Sequence, residues 1–207
     1  MLTKRPMRIP SSRWPQKPFR DEAKRSGTKN RFPDRLEAVT EERSRILPVC
    51  RLHPETGQLV ETSMRWGLIP NFVAERPNFQ PLYAPAETIL RRRMFYDAYH
   101  KRRCVISVKE FHQRDEHRRR RTIVHKDGKH LSLAGIWENW RAPSTSKWER
   151  TFAIVTVRAD GLIPNIHARM PLILSEANLH RWLDSQNDPR DLLSFPPDVR
   201  SVLTVLD

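Results

Sequence analysis

Short β-branched and aromatic runs separated by turn residues constrain the fold of this chain more than any other feature. ILPVCRL (46–52) and QLVETSMRWGLIP (58–70) flank HPETGQ, whose proline, glycine and threonine supply turn chemistry, so the pattern predicts a β-hairpin. CVISV (104–108) and TFAIVTV (151–157) are further apolar strands, and RTIVHKDGKHLSLAGIW (121–137) reads as a hairpin around Asp127-Gly128, a favoured two-residue turn. Helical spacing is confined to three places. APAETILRRRMFYDAYHKRR (84–103) repeats Ala86, Leu90, Met94 and Ala98 as one apolar stripe with Arg91, Arg92 and Arg93 around it. SEANLHRWLD (175–184) opens at Ser175 as N-cap with Glu176 at the positive end of the helix dipole, and DPRDLL (188–193) places Asp188 as N-cap and Pro189 in the first helical position. Strands outnumber helices, and hairpins replace repeating strand-helix-strand units. The expected class is α+β, a mainly antiparallel sheet or partly closed β-barrel with a few flanking helices.

A chain of 207 residues can build one sizeable core. Residues 1–30 hold nine Lys and Arg against two acids and show no sustained hydrophobic period, so residues 1–45 are expected to form a basic, loosely docked arm ahead of one domain over 46–207. The whole sequence has 38 Lys+Arg against 24 Asp+Glu, a formal charge of +14. That excess points to a polyanionic partner, nucleic acid before anionic membrane. No apolar run approaches the roughly 20 residues of a membrane span, and no apolar signal core follows Met1. A cytoplasmic monomer is expected, nucleoid-associated if the source is prokaryotic. The first twenty residues are basic and acid-free like a transit peptide, yet their four prolines break the helix such a peptide needs. Cys50 and Cys104 form no CxxC pair, so neither a disulfide scaffold nor a metal site is expected, and no cofactor is implied.

GLIPNIHARMPLIL (161–174) sets two polar residues in an apolar segment between Pro164 and Pro171. Proline favours extended backbone for itself and for the residue before it. In extended chain His167 and Arg169 share one face, and Ile166, Ala168 and Met170 the other. A titratable imidazole then stands beside a permanent cation. The spacing alone fits a satisfied histidine with a solvated arginine as well as a site.

Five segments in one order carry a resemblance: MRWGLIP (64–70), APAETI (84–89), RRCVIS (102–107), LAGIWENW (133–140) and IHARMPLIL (166–174). The series, over about residues 47–185, resembles the SOS response-associated peptidase family, SRAP, whose members process abasic sites in single-stranded DNA. The resemblance implies a β-rich fold with a positively charged cleft. In that family an N-terminal cysteine, freed by removal of methionine, traps the ring-opened sugar aldehyde through its amine and thiol. An α-amino group with a reference pKa of about 7.7 to 8.0 is a competent nucleophile at neutral pH. A thiol is a strong one.

Carried over residue by residue, His167 stands in the position of the family histidine, which assists sugar opening and Schiff-base steps. Arg169 occupies the adjoining arginine position, where it would hold a phosphate. Other positions differ. Tyr83 replaces the family asparagine and Pro85 an arginine in YAPAET, and Gln113 replaces the catalytic glutamate in EFHQR. A side-chain amide has no proton to exchange near neutral pH, so general acid-base catalysis at Gln113 is not expected. The second residue is Leu2 and no Met-Cys-Gly-Arg occurs. Cys50 and Cys104, in expected strands, read as buried small hydrophobes.

Residues expected to hold DNA are Trp66, on which a base could stack, together with Arg93 and Arg65; Trp66 also fits a core position. Glu87 reads as a brace for an arginine, and Trp137 and Trp140 as core. The runs RRR (91–93), KRR (101–103) and RRRR (118–121) are solvated faces or, if they line one groove, a salt-dependent DNA surface. Three functions follow. The first is non-covalent binding of single-stranded or abasic-site DNA with the family's DNA-protein crosslinking impaired. The second is an abasic-site crosslinking or lyase enzyme using a chain-start amine or a lysine such as Lys109, with His167 carrying protons. The third is a scaffold for an acidic protein partner.

Overall fold

The computed structural model describes residues 46–114, 117, 119–158, 169–194 and 197–206. The proposed arm 1–45 and His167 lie outside the described residues. In chain order the strands and helices are β1 (Ile46–Leu52), β2 (Leu59–Trp66), β3 (Tyr83–Pro85), α1 (Ala86–Ile89), α2 (Arg93–Lys101) and β4 (Arg103–Val108). Then come β5 (Glu110–Arg114), β6 (Arg120–His125), β7 (Leu131–Arg141) and β8 (Trp148–Arg158). β9 (Arg169–Pro171), β10 (Ile173–Leu174), α3 (Glu176–Leu183), α4 (Pro197–Arg200) and β11 (Leu203–Leu206) complete the series.

The expected hairpin at 46–66 is present: β1 and β2 pair antiparallel, with Leu52 opposite Leu59 where HPETGQ turns the chain. β4 continues the sheet on the other edge of β1, β7 follows β4, and β8 pairs with both β7 and β2. These five strands therefore close on themselves, giving the α+β barrel with a few flanking helices that the pattern predicts. Most pairings are antiparallel; β2 and β3 run parallel to β8.

Alternation assigns the two faces of the wall. Val105, Ala134, Ala153 and Val155 pack with Phe95 and Tyr99 of α2 and Trp182 of α3, while Cys104, Ile106, Leu133, Phe152 and Ile154 pack with Met64 and Met170. A five-stranded ring is too narrow to hold a helix, so the first set faces outward under the helices and the second fills the interior. Gly135 lets the wall close tightly: a Cβ there would stand 2.6 Å from Ile106 Cδ1 and 2.9 Å from Cys104 Sγ. β5, β6 and β11 form a separate antiparallel sheet, whose Phe111 and Ile123 join the interior cluster.

Three local expectations change. Asp127-Gly128 is a turn, with the Gly128 N–H on His125 O at 2.9 Å and Gly128 at φ 69°, but its flanking strands do not pair. β6 pairs with β5 and β11, and β7 with β4, β8 and β10. β7 is buried on both faces over most of its length, so it needs barrel neighbours on both sides, which the half-exposed β6 cannot provide. The single stripe over 84–103 becomes two helices, because Arg92 is extended at φ −82°, ψ 118°. This break turns Phe95, Ala98 and Tyr99 inward in the second helix and leaves Arg91, Arg92 and Arg93 exposed.

Helix α3 starts after Ser175 as expected, though the Ser175 hydroxyl makes no capping bond. Asp188 does not cap a helix. It accepts from Tyr99 Oη at 2.7 Å, and a 3-10 turn follows at Arg190–Leu192.

Cys50 and Cys104 are buried free thiols. Burial, with Glu61 adding to it, pushes Cys50 up to about 11, and burial raises Cys104 well above its ordinary value. Both are small core groups and not nucleophiles. Trp137 and Trp140 are buried, as expected. No helix among the described residues is long and apolar enough to cross a membrane.

Candidate nucleic-acid interface

The retained arginine of the HARMP segment stands at the junction of four elements. β9 pairs with β8, placing Arg169 opposite Arg158 and Pro171 opposite Thr156. On the other side of β8, β3 sets Tyr83 beside Ile154 and Pro85 beside Thr156, and α1 begins at once and presents Glu87. Arg169 Nη2 donates to Glu87 Oε2 at 2.8 Å. Its Nη1 donates to Thr156 O at 3.2 Å and Oγ1 at 3.1 Å. Arg158 Nε lies 3.9 Å from the other Glu87 oxygen. Glu87 is thus the arginine brace that the sequence suggested.

Burial alone would raise the Glu87 carboxyl. Its own backbone N–H and the charges of Arg169 and Arg158 outweigh that and hold it below its ordinary value. Among the described residues the rim therefore keeps two cations against one carboxylate at neutral pH, and the Arg169 side chain is 32% exposed.

Gln113, on β5, is brought to the same place. Its buried amide donates to the Arg169 carbonyl oxygen, and Oε1 has no hydrogen-bond partner among the described residues. The side chain in the glutamate position thus anchors the backbone of the arginine.

The other sequence candidates take different surroundings. Tyr83 sets its ring edge-on to Trp66, with centroids 5.6 Å apart. Trp66 stacks on Phe152 at 6.5 Å, donates its indole N–H to Leu82 O at 2.8 Å, and is 9% exposed. The ring therefore sits in the interior wall, the core position that the sequence also allowed for Trp66. Arg65 pairs with Glu149, a carboxylate it shares with Arg76. Arg93 extends over Phe72, its guanidinium 4.4 Å from the ring centroid.

Phe72 is 47% exposed and went unnoticed in the sequence. Its signal is an aromatic two residues past GLIP (67–70), in a segment with no apolar period to bury it. The KRR run also divides: Arg102 pairs with buried Glu138 at 2.7 Å, and Arg103 is 4% exposed, so neither lines a groove. Lys109 is exposed at the bend between β4 and β5, beside His130, whose pKa is lowered by burial and by the Lys109 charge.

The family model described as SOS response associated peptidase (SRAP) matches residues 10–204. The chain belongs to that family. It is 30% identical over 135 residues to the abasic site processing protein YoqW of Bacillus subtilis (strain 168), covering 63% of this chain and 60% of that protein. It is 26% identical over 162 residues to the abasic site processing protein HMCES of Gallus gallus, covering 65% of this chain and 48% of that one. The matched region thus spans about half to three-fifths of those relatives' length. A solved structure of a protein from Bacteroides thetaiotaomicron superposes with a TM-score of 0.67 at 24% identity, covering 77% of this chain and 72% of that one, a likeness of fold.

Proposed function

We propose that this chain binds single-stranded DNA, with or without an abasic site, and holds it without a lasting covalent bond. The observation that carries the reading is the Arg169 rim. Two arginines outnumber the one carboxylate there, so the surface keeps positive charge for a phosphate, while the side chain behind it is the Gln113 amide and not a carboxylic acid. A phosphate can take the outward face of the Arg169 guanidinium by charge-assisted hydrogen bonds. The exposed Phe72 ring beside Arg93 adds a face for an unstacked base and a cation for its backbone. The relatives' names give the substrate class, and the substitutions at Tyr83 and Gln113 argue against retained crosslinking.

The test is binding of fluorescent single-stranded oligonucleotides, intact and abasic, at about 50 and about 200 mM salt, followed by borohydride reduction and intact-mass measurement. Both oligonucleotides should bind and both affinities should fall steeply with salt, with no mass adduct. Negligible binding at the lower salt would overturn the reading. A borohydride-trapped adduct would replace it with amine catalysis from the chain start or Lys109.

A further inference from the structure

The tip of the β7-β8 hairpin carries a second aromatic-cation pair that the Arg169 rim does not use. Trp148 is 63% exposed, the most exposed large hydrophobic among the described residues. The Arg141 guanidinium, on the facing strand, lies 6.0 Å from its ring centroid, and Arg141 and Trp148 are opposite each other in the strand register. Beside them is a hollow of about 640 Å³ lined by Trp148, Trp140, Arg76, Lys147, Glu75 and Glu149 among others, within the size range of small-molecule sites.

The charged lining is balanced, Arg76 and Lys147 against Glu75 and Glu149; Arg65, which shares Glu149 with Arg76, and Arg141 at the Trp148 ring add positive charge at its edge.

This place is joined to the Phe72–Arg93 pair by one loop. Val73, next to Phe72, accepts the Trp140 indole N–H at 2.9 Å, and Arg76, three residues on, lies over the Trp140 ring at 5.3 Å. Residues 72–76 thus run from one aromatic-cation pair to the edge of the other.

We propose that Trp148 is a base-stacking platform for a nucleotide of the same DNA strand, with Arg141 and Lys147 holding the adjoining phosphate. The proposal rests on the single-stranded DNA reading above and extends it by a subsite. Trp148 and Thr156 are eight residues apart on β8, about 26 Å at the rise of a strand. A stacked strand needs about eight nucleotides to span that distance. Short oligonucleotides on the rim cannot reach Trp148, and long ones can.

Binding of oligonucleotides of about 4 and about 15 nucleotides to the wild-type chain, Trp148→Ala and Trp148→Phe decides the matter. Trp148→Ala should weaken the long oligonucleotide about tenfold and leave the short one unchanged, and Trp148→Phe should retain most of the affinity. In the wild-type chain, ultraviolet crosslinking to a halogenated-uracil oligonucleotide should place an adduct on Trp148, a readout that needs no variant to fold. If the wild-type chain binds the long oligonucleotide but Trp148→Ala binds it equally well and no adduct forms at Trp148, this subsite is overturned and the rim reading stands. If the wild-type chain binds neither, both fall together.

Discussion

Arg103 and Arg169 are two arginines of one barrel, and their surroundings separate a cation enclosed by the fold from one left part-open to solvent. Arg103 is 4% exposed and donates to the carbonyl oxygens of Trp182, Tyr99, His100, Asp184 and Asn187. Every direction of its fork is used, so it ties the end of α2 to the end of α3. Burial lowers its pKa, and Tyr99, Asp188 and Asp184 oppose that shift. Arg169 satisfies itself with one carboxylate, one carbonyl and one hydroxyl, and a third of its side chain remains open. Carbonyls on all sides leave the Arg103 guanidinium no free N–H to offer a ligand. A half-wrapped one keeps its charge outward while its position stays fixed.

Breaking the first arginine should have the largest effect. Arg103→Ala leaves five carbonyls without their donor, four at two helix ends and one, Asn187, in the loop after α3, so urea unfolding should show a loss of about 3–5 kcal/mol, with the fold itself at risk. Gln113→Glu comes next. A carboxylate cannot donate to the Arg169 carbonyl, and a loss of about 1–3 kcal/mol is expected at neutral pH. The introduced acid donates only when protonated, so its folded-state pKa is raised. Its contribution is present below the unfolded value of about 4.3 and is lost as pH rises through the folded one, so the gap to wild type should narrow on acidification.

Arg169→Ala should cost at most about 1 kcal/mol of stability, yet weaken single-stranded DNA about 5- to 10-fold at low salt and reduce the salt slope by about 0.7. A variant equal to wild type in both respects would remove Arg169 from the interface. Glu87→Gln should have the smallest effect on the fold, a few tenths of a kcal/mol, because the pair is part-exposed. It should raise DNA affinity by removing the one carboxylate that holds Arg169 among the described residues. The Glu87 pKa is depressed in the folded chain, so its contribution is present above the unfolded value and lost as pH falls through the folded one. Acid titration of wild type should show a small loss below about pH 4 that Glu87→Gln lacks.

Local chemistry was legible in the sequence and long-range pairing was not. HPETGQ announced its hairpin because the turn and both strands adjoin it. Asp127-Gly128 announced a reversal just as plainly, but a tight turn fixes where the chain bends and not which strands it joins. The apolar run LAGIW held the better clue, since residues buried on both faces belong to a central strand. Between the two prolines, the polar alternation set Arg169 on one face without saying whether that face is a site or solvent. The arginine's partner Thr156 comes from another strand, and no spacing within the segment could indicate it. Trp66 stayed open between two settings, because an indole beside an arginine looks the same in sequence whether it lies in a wall or on a surface; its N–H meets the carbonyl of Leu82.

The small sheet has a consequence for the order in which the molecule is made. Its middle strand β6 takes one neighbour, β5, from just upstream and the other, β11, from residues 203–206. A nascent chain emerging from the ribosome can therefore close the barrel strands β1, β2, β4, β7 and β8 well before β6 acquires its second edge. Without β11 the strand that carries Gln113 would belong to a two-stranded ribbon, and ribbons of that size are marginal in water. Residues 203–206 thus complete the sheet whose β5 strand carries the amide that anchors Arg169.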